Sequence, residues 1–292
     1  MKKPINIIKK ALSLIAAAFI NQVIAAVIIG WVVCLSLSSP CQSALVGLWT
    51  FENDSLEDST GNFGNLVLYG DAVVSNGALD LNGFGTTATG WARTSGTFSA
   101  GGGGGVALGS KTLVSWITLQ SLSASAGSAM TLDGVIGDQF DGIVFGEQSA
   151  NRWMNGSNGW SRSQGGQFNQ AEAVESSTGS LLQLAITYQD LGGGNVQITG
   201  YRNGNLMGSY TSVNFASWGA NQQEVIFGPR YHYIDLNQSG GALDALLHEA
   251  RLYDSALSQS EIQSLAMVPE PTASVLGTLA AFLLLSRRRR NS

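Results

Sequence analysis

Leu113-Val114-Ser115-Trp116-Ile117-Thr118-Leu119 is the stretch on which the fold turns. In an extended chain residues 113, 117 and 119 face one way, and 114 and 116 the other. Both sets are apolar, so this strand expects cover on both sides, as in the middle of a sandwich. Similar runs recur outward from it at 66–69, 78–81, 135–136, 142–145, 181–188, 196–201, 208–213, 225–228 and 246–253. Gly, Ser, Asn and Thr punctuate them densely. Leu45, Gly47, Trp49 and Phe51 alternate onto one face of a first run, and Asn203-Gly204 carries a hairpin signal. About a dozen short strands joined by turns predict an all-β fold, a two-sheet jelly-roll sandwich. One helix is expected. Ser258 and Glu261 have capping-box spacing, Ile262 and Leu265 share a docking face, and Pro269 stops the run.

The two ends differ from this body. Lys2, Lys3, Lys9 and Lys10 precede apolar runs at 11–20 and 23–37, and small residues follow up to Ser43-Ala44. This predicts a signal helix over 1–43, cut at Ser43 or Ala44, with an uncleaved anchor as the alternative. At the other end Pro269-Glu270-Pro271 precedes an apolar run at 273–285, and then Arg287-Arg288-Arg289-Arg290. The thirteen apolar residues would span roughly 20 Å as a helix, against a hydrocarbon core of about 30 Å. Four arginines hold the tip in the cytosol. The reading is a short C-terminal transmembrane helix held in the membrane until it is processed.

The whole chain carries 15 Lys+Arg and 20 Asp+Glu. The ends hold eight of the basic residues and Glu270, which leaves seven basic and nineteen acidic residues over 44–268 and a net charge of −12. Such a domain repels phosphate backbones, so nucleic acid is not expected as a partner. Cys34 and Cys41 both lie in the leader, so the exported domain has neither a disulfide nor a thiolate metal site.

The tail resembles the PEP-CTERM sorting signal of Gram-negative bacteria that make extracellular polysaccharide. That resemblance implies an exosortase as processing partner at the PEP motif, a transient inner-membrane intermediate, and delivery to the cell envelope or extracellular matrix. A second resemblance covers nearly all of 44–266. The stretches VGLWTFENDSLEDSTGN, GALDLNG, TLVSWITLQ, VQITGYRNGNLMGSY and LLHEARLYDSALSQSEIQSL look like the laminin-G-like, concanavalin A-like jelly roll of bacterial surface proteins. Glu249, Arg251 and Tyr253 match its closing motif, and His248 stands where Asp is usual. The expected domains are therefore 1–43, 44–266 and 267–292.

Related sandwiches include glycosidases, which need two carboxylates flanking one bond. The one-strand Glu-x-Asp-x-x-Glu string of the retaining members is absent. Glu172 and Glu175 fall in a polar stretch and are expected to be solvated. His232 is expected in an aromatic surface turn, and His248 on a strand with a core or edge hydrogen bond. No catalytic residue is expected. The glycines at 101–105 do not make a phosphate loop, because Ser110 takes the lysine position and Lys111 comes one place late. Two binding constellations remain. Asp133, Asp138 and Asp141 offer hard oxygen ligands on a glycine-punctuated loop and form a candidate calcium site, with turn formation as the alternative. Arg152, Trp153, Asn155 and Trp160 combine indole faces with hydrogen-bonding groups and form a candidate glycan site, with inward packing of one tryptophan as the alternative. The expectation is a non-catalytic surface or matrix protein associated with exopolysaccharide. A polysaccharide-active hydrolase or lyase on the same sandwich is the alternative.

Overall fold

The computed structural model describes residues 43–95, 104–135, 139–163, 167–233 and 238–267. Residues 1–42, Asp138 and the tail from 268, with Pro269, Glu270, Pro271 and Arg287 to Arg290, lie outside the described residues. Among the described residues no helix is long and apolar enough to cross a membrane.

The strands in chain order are β1 (Leu45–Trp49), β2 (Leu66–Gly70), β3 (Val73–Ser75), β4 (Ala78–Asp80), β5 (Gly90–Thr94), β6 (Lys111–Leu119), β7 (Gly127–Gly134) and β8 (Phe140–Phe145). There follow β9 (Trp153–Ser157), β10 (Leu181–Gly192), β11 (Asn195–Arg202), β12 (Asn205–Ser212), β13 (Gln223–Pro229), β14 (Tyr231–Tyr233), β15 (Gln238–Gly240) and β16 (Ala245–Tyr253), and then one helix, α1 (Gln259–Ser264). The larger sheet runs β12-β11-β10-β6-β16-β4-β3, with β1 sharing the edge of β16. The smaller runs β2-β5-β13-β7-β8-β9, and β14-β15 form a separate hairpin. All pairings within these sheets are antiparallel. This is the expected two-sheet sandwich.

β6 lies mid-sheet between β10 and β16, as its two apolar faces demand. Leu113, Ile117 and Leu119 join the core between the sheets, with Leu184 and Ile186 from β10 and Val225 and Phe227 from β13. Val114 and Trp116 join a second cluster on the outer face, closed by Ile262 of α1. That helix has the full capping box: Ser258 Oγ accepts from the Glu261 N–H at 3.3 Å, and Glu261 Oε2 accepts from the Ser258 N–H at 2.7 Å. It ends at Ser264, ahead of Pro269, so the proline is not what stops it. Arg251 fastens the chain beyond the helix. Its guanidinium lies 4.8 Å from the Trp116 ring centre, bonds Glu249, and donates to the Ala266 carbonyl at 2.6 Å. His248 Nε2 is 3.0 Å from Thr118 Oγ1.

Two local expectations need correction. A bulge between Leu45 and Gly47 shifts the alternation of β1. Leu45 therefore packs on the outer cluster while Trp49 enters the core, and the four residues do not share one face. Of the strand expected at 135–136, Val135 falls just past the end of β7 at Gly134, and Ile136 lies outside the described residues. Asn203-Gly204 does close a hairpin, with φ of 50° and 73°, the doubly positive pair of a type I′ turn.

Candidate functional site

The stretch 151–163 divides its residues by strand parity. β9 pairs with β8 so that Trp153 opposes Phe145 and Asn155 opposes Ile143, both core residues. Trp153 and Asn155 therefore point into the sandwich. Trp153 is 0% exposed, and its indole N–H donates to Glu175 Oε1 at 3.0 Å. Asn155 is buried, and Tyr210 donates its hydroxyl hydrogen to Asn155 Oδ1. A closed indole cannot lie against a pyranose, so Trp153 and Asn155 leave the candidate glycan set. Arg152 is half-buried and donates to the Phe168 carbonyl. Glu175, expected to be solvated, is buried between Trp153 and Arg202, whose Nε lies 2.6 Å from Glu175 Oε1.

The chain then turns outward. Asn158–Trp160 form a short 3-10 turn in which Gly159 has φ 52° and Trp160 φ 54°. Left-handed backbone is unfavourable for a bulky residue, and such strain points to a local role. Its result is that Trp160 stands 53% exposed. Beside it lies a cavity of about 170 Å³ lined by Phe140, Glu147, Ser157, Asn158, Gly159, Trp160, Arg230 and Tyr231. Glu147 lies beside the Trp160 side chain and meets Arg230 Nε at 3.0 Å. Burial pushes the Glu147 carboxyl up from the ordinary range, and the charge of Arg230 and the neighbouring Trp160 side chain offset part of that shift. The Arg230 guanidinium also stacks 5.1 Å from the Tyr231 ring centre and donates to the Ala126 carbonyl. The groove thus has one open indole face, with a carboxylate acceptor and guanidinium donors at its edge. Of the four residues expected here only Trp160 lines it. Glu147, Arg230 and Tyr231 were not expected, although the run Arg230-Tyr231-His232-Tyr233 was a visible cue.

The carboxylates on β7, β8 and β13 are buried and bonded. Register pairs Leu132 with Asp141 and Asp133 with Phe140 across β7 and β8. Leu132 is a core residue, so Asp141 faces inward and Asp133 outward. Opposite faces of one sheet cannot share a cation, which removes the calcium set as drawn. Asp141 instead meets Lys111 Nζ at 2.9 Å and Arg162 Nε at 2.8 Å, all three buried. Burial favours the protonated carboxyl, but the two cations outweigh it and hold Asp141 below its ordinary range. Lys111 is further boxed by Trp218, Tyr188 and Phe215, with ring centres at 4.6, 5.1 and 5.2 Å. Asp133 accepts from the His232 N–H at 2.9 Å. Its register partner Glu224 is buried and meets Arg93 at 3.0 Å. His232 is on a strand, buried against Trp91 at 5.0 Å between ring centres, and not in a surface turn. Among the described residues no group of three or more His, Cys, Asp or Glu is placed to hold a metal ion. Of the two expected cleavage positions, Ser43 is half-buried and Ala44 is exposed, and the Ala44 N–H donates to Asp254.

Solved structures are similar to this chain. Domain 4 of AbnA, a GH43 extracellular arabinanase from Geobacillus stearothermophilus solved with arabinotriose, matches at 19% identity and a TM-score of 0.54, covering 77% of this chain and 98% of that one. Trypanosoma rangeli sialidase with sialic acid matches at 18% identity and a TM-score of 0.48, covering 76% of this chain and 32% of the sialidase. No curated protein matches the sequence. The family profile of the concanavalin A-like lectin/glucanases superfamily, a laminin-G group, matches residues 76–263, well over half of the chain. The chain belongs to that superfamily.

Proposed function

We propose that this is a non-catalytic, exported carbohydrate-binding protein of the cell surface or matrix, and that it holds its glycan in the groove under Trp160. The observation that carries this reading is the open indole of Trp160, 53% exposed, beside the Glu147–Arg230 pair. An indole face covers the C–H side of a pyranose while charged neighbours bond its hydroxyls. The arabinanase domain, which shares the fold, was solved with arabinotriose, and this agrees with a sugar ligand. Binding is favoured over turnover by the state of the carboxylates. Asp133 and Glu224, paired in register across β7 and β13, are buried and already bonded to His232 and Arg93. The route outward is the sorting tail, with Pro269-Glu270-Pro271 as the processing motif for an exosortase and Arg287 to Arg290 as the cytosolic stop.

A glycan array probed with the full chain and with Trp160→Ala tests the reading. Signal on a polysaccharide that Trp160→Ala abolishes supports it. Signal unchanged by the substitution, or release of reducing sugar by the wild-type protein, contradicts it.

A further inference from the structure

We infer that the groove selects neutral glycans and rejects polyanionic ones such as uronate polymers. The inference rests on the glycan reading of the Trp160 groove and adds to it the charge class of the ligand. An acidic polysaccharide is held by cations that can reach its carboxylates. The folded domain has seven basic side chains against nineteen acidic ones, and six of the seven are ion-paired to carboxylates. The exposure of these six side chains runs from 0% for Lys111 to 28% for Arg202. The seventh, Arg152, is half-buried and donates to the Phe168 carbonyl.

The groove repeats this pattern locally. The charge of Arg230 is balanced by Glu147 at 3.0 Å, and its guanidinium also packs on the Tyr231 face and donates to the Ala126 carbonyl. A uronate carboxylate placed on Trp160 would meet the Glu147 carboxylate with its counter-charge already taken, inside a domain of strongly negative charge. A neutral sugar meets no such cost. Two adjacent hydroxyls can donate to the Glu147 oxygens and accept from the guanidinium while the pair stays intact.

The test is binding of the full chain, in EDTA, to neutral arabinan and β-glucan and to polygalacturonate and alginate, at low and high salt, with Trp160→Ala run in parallel. Reading only the Trp160-dependent part removes any contribution from the basic termini. The expected result is binding to a neutral polymer, at least about tenfold tighter than to either polyuronate, and insensitive to salt. Trp160-dependent binding that is tighter for a polyuronate and weakens as salt rises overturns the inference while leaving the glycan reading in place. Absence of Trp160-dependent binding to any of the four polymers overturns both.

Discussion

Trp153 and Trp160 lie on one short stretch and have the same partners in kind. Trp153 donates to Glu175, which is held by Arg202, and Trp160 lies beside Glu147, which is held by Arg230. The carboxylates are similarly buried, at 3% and 8% side-chain exposure. The tryptophans are not, at 0% and 53%. In the first triad the ion pair satisfies an indole N–H that the sandwich has closed off from water. In the second it lies beside an indole that is left exposed. On the proposed reading, similar sets of side chains serve packing in one place and recognition in the other, and the backbone around them decides which.

Substitutions should separate the two triads. Trp153→Ala empties a core site and should cost about 3–5 kcal/mol in denaturant unfolding. Trp160→Ala should stay within about 0.5 kcal/mol, and equal losses at the two positions would break the contrast. Glu175→Gln weakens the ion pair that supports a buried indole and should cost about 1–3 kcal/mol. Ser258→Ala, remote from both triads, removes one half of the capping box and should cost about 1 kcal/mol. It should leave glycan binding unchanged, which provides a control for general destabilisation.

Glu147→Gln should have the smallest effect on stability, and its sign depends on pH. Burial raises the Glu147 carboxyl above its ordinary 4.5. The folded state therefore binds its proton more tightly than the unfolded chain does. That contribution is complete below 4.5 and is lost as pH rises through the raised value. Relative to wild type, Glu147→Gln should lose nothing at low pH and gain slightly above that window. A pH profile parallel to wild type throughout would contradict the assignment.

What the sequence revealed follows from the range of the interactions involved. β6 was legible because both of its faces are apolar within seven residues. The capping box and the Asn203-Gly204 turn are local chemistry as well, and both are present. β5, β7 and β9 escaped because Gly, Ser, Thr, Asn and Asp fill positions that are nevertheless buried. The side chains of Lys111, Asp141 and Arg162 come together only when the two sheets close, so three charges in the core had no local signature. The fate of the tryptophans hinged on the parity of β9 and on two left-handed residues in the turn after it. Composition alone pointed to this stretch but did not separate the buried indole from the exposed one. The partners of Trp160 come from the loop after β8 and from the segment that joins β13 to β14.

The central claim is that the open triad binds sugar and the closed one does not. Titration of a neutral oligosaccharide into wild type, Trp160→Ala and Trp153→Phe by calorimetry tests it directly. The account predicts a Kd for Trp160→Ala at least about tenfold weaker at unchanged Tm. It also predicts that Trp153→Phe will bind as wild type does while melting lower. Equal affinity for wild type and Trp160→Ala, or loss of binding confined to Trp153→Phe, would contradict it.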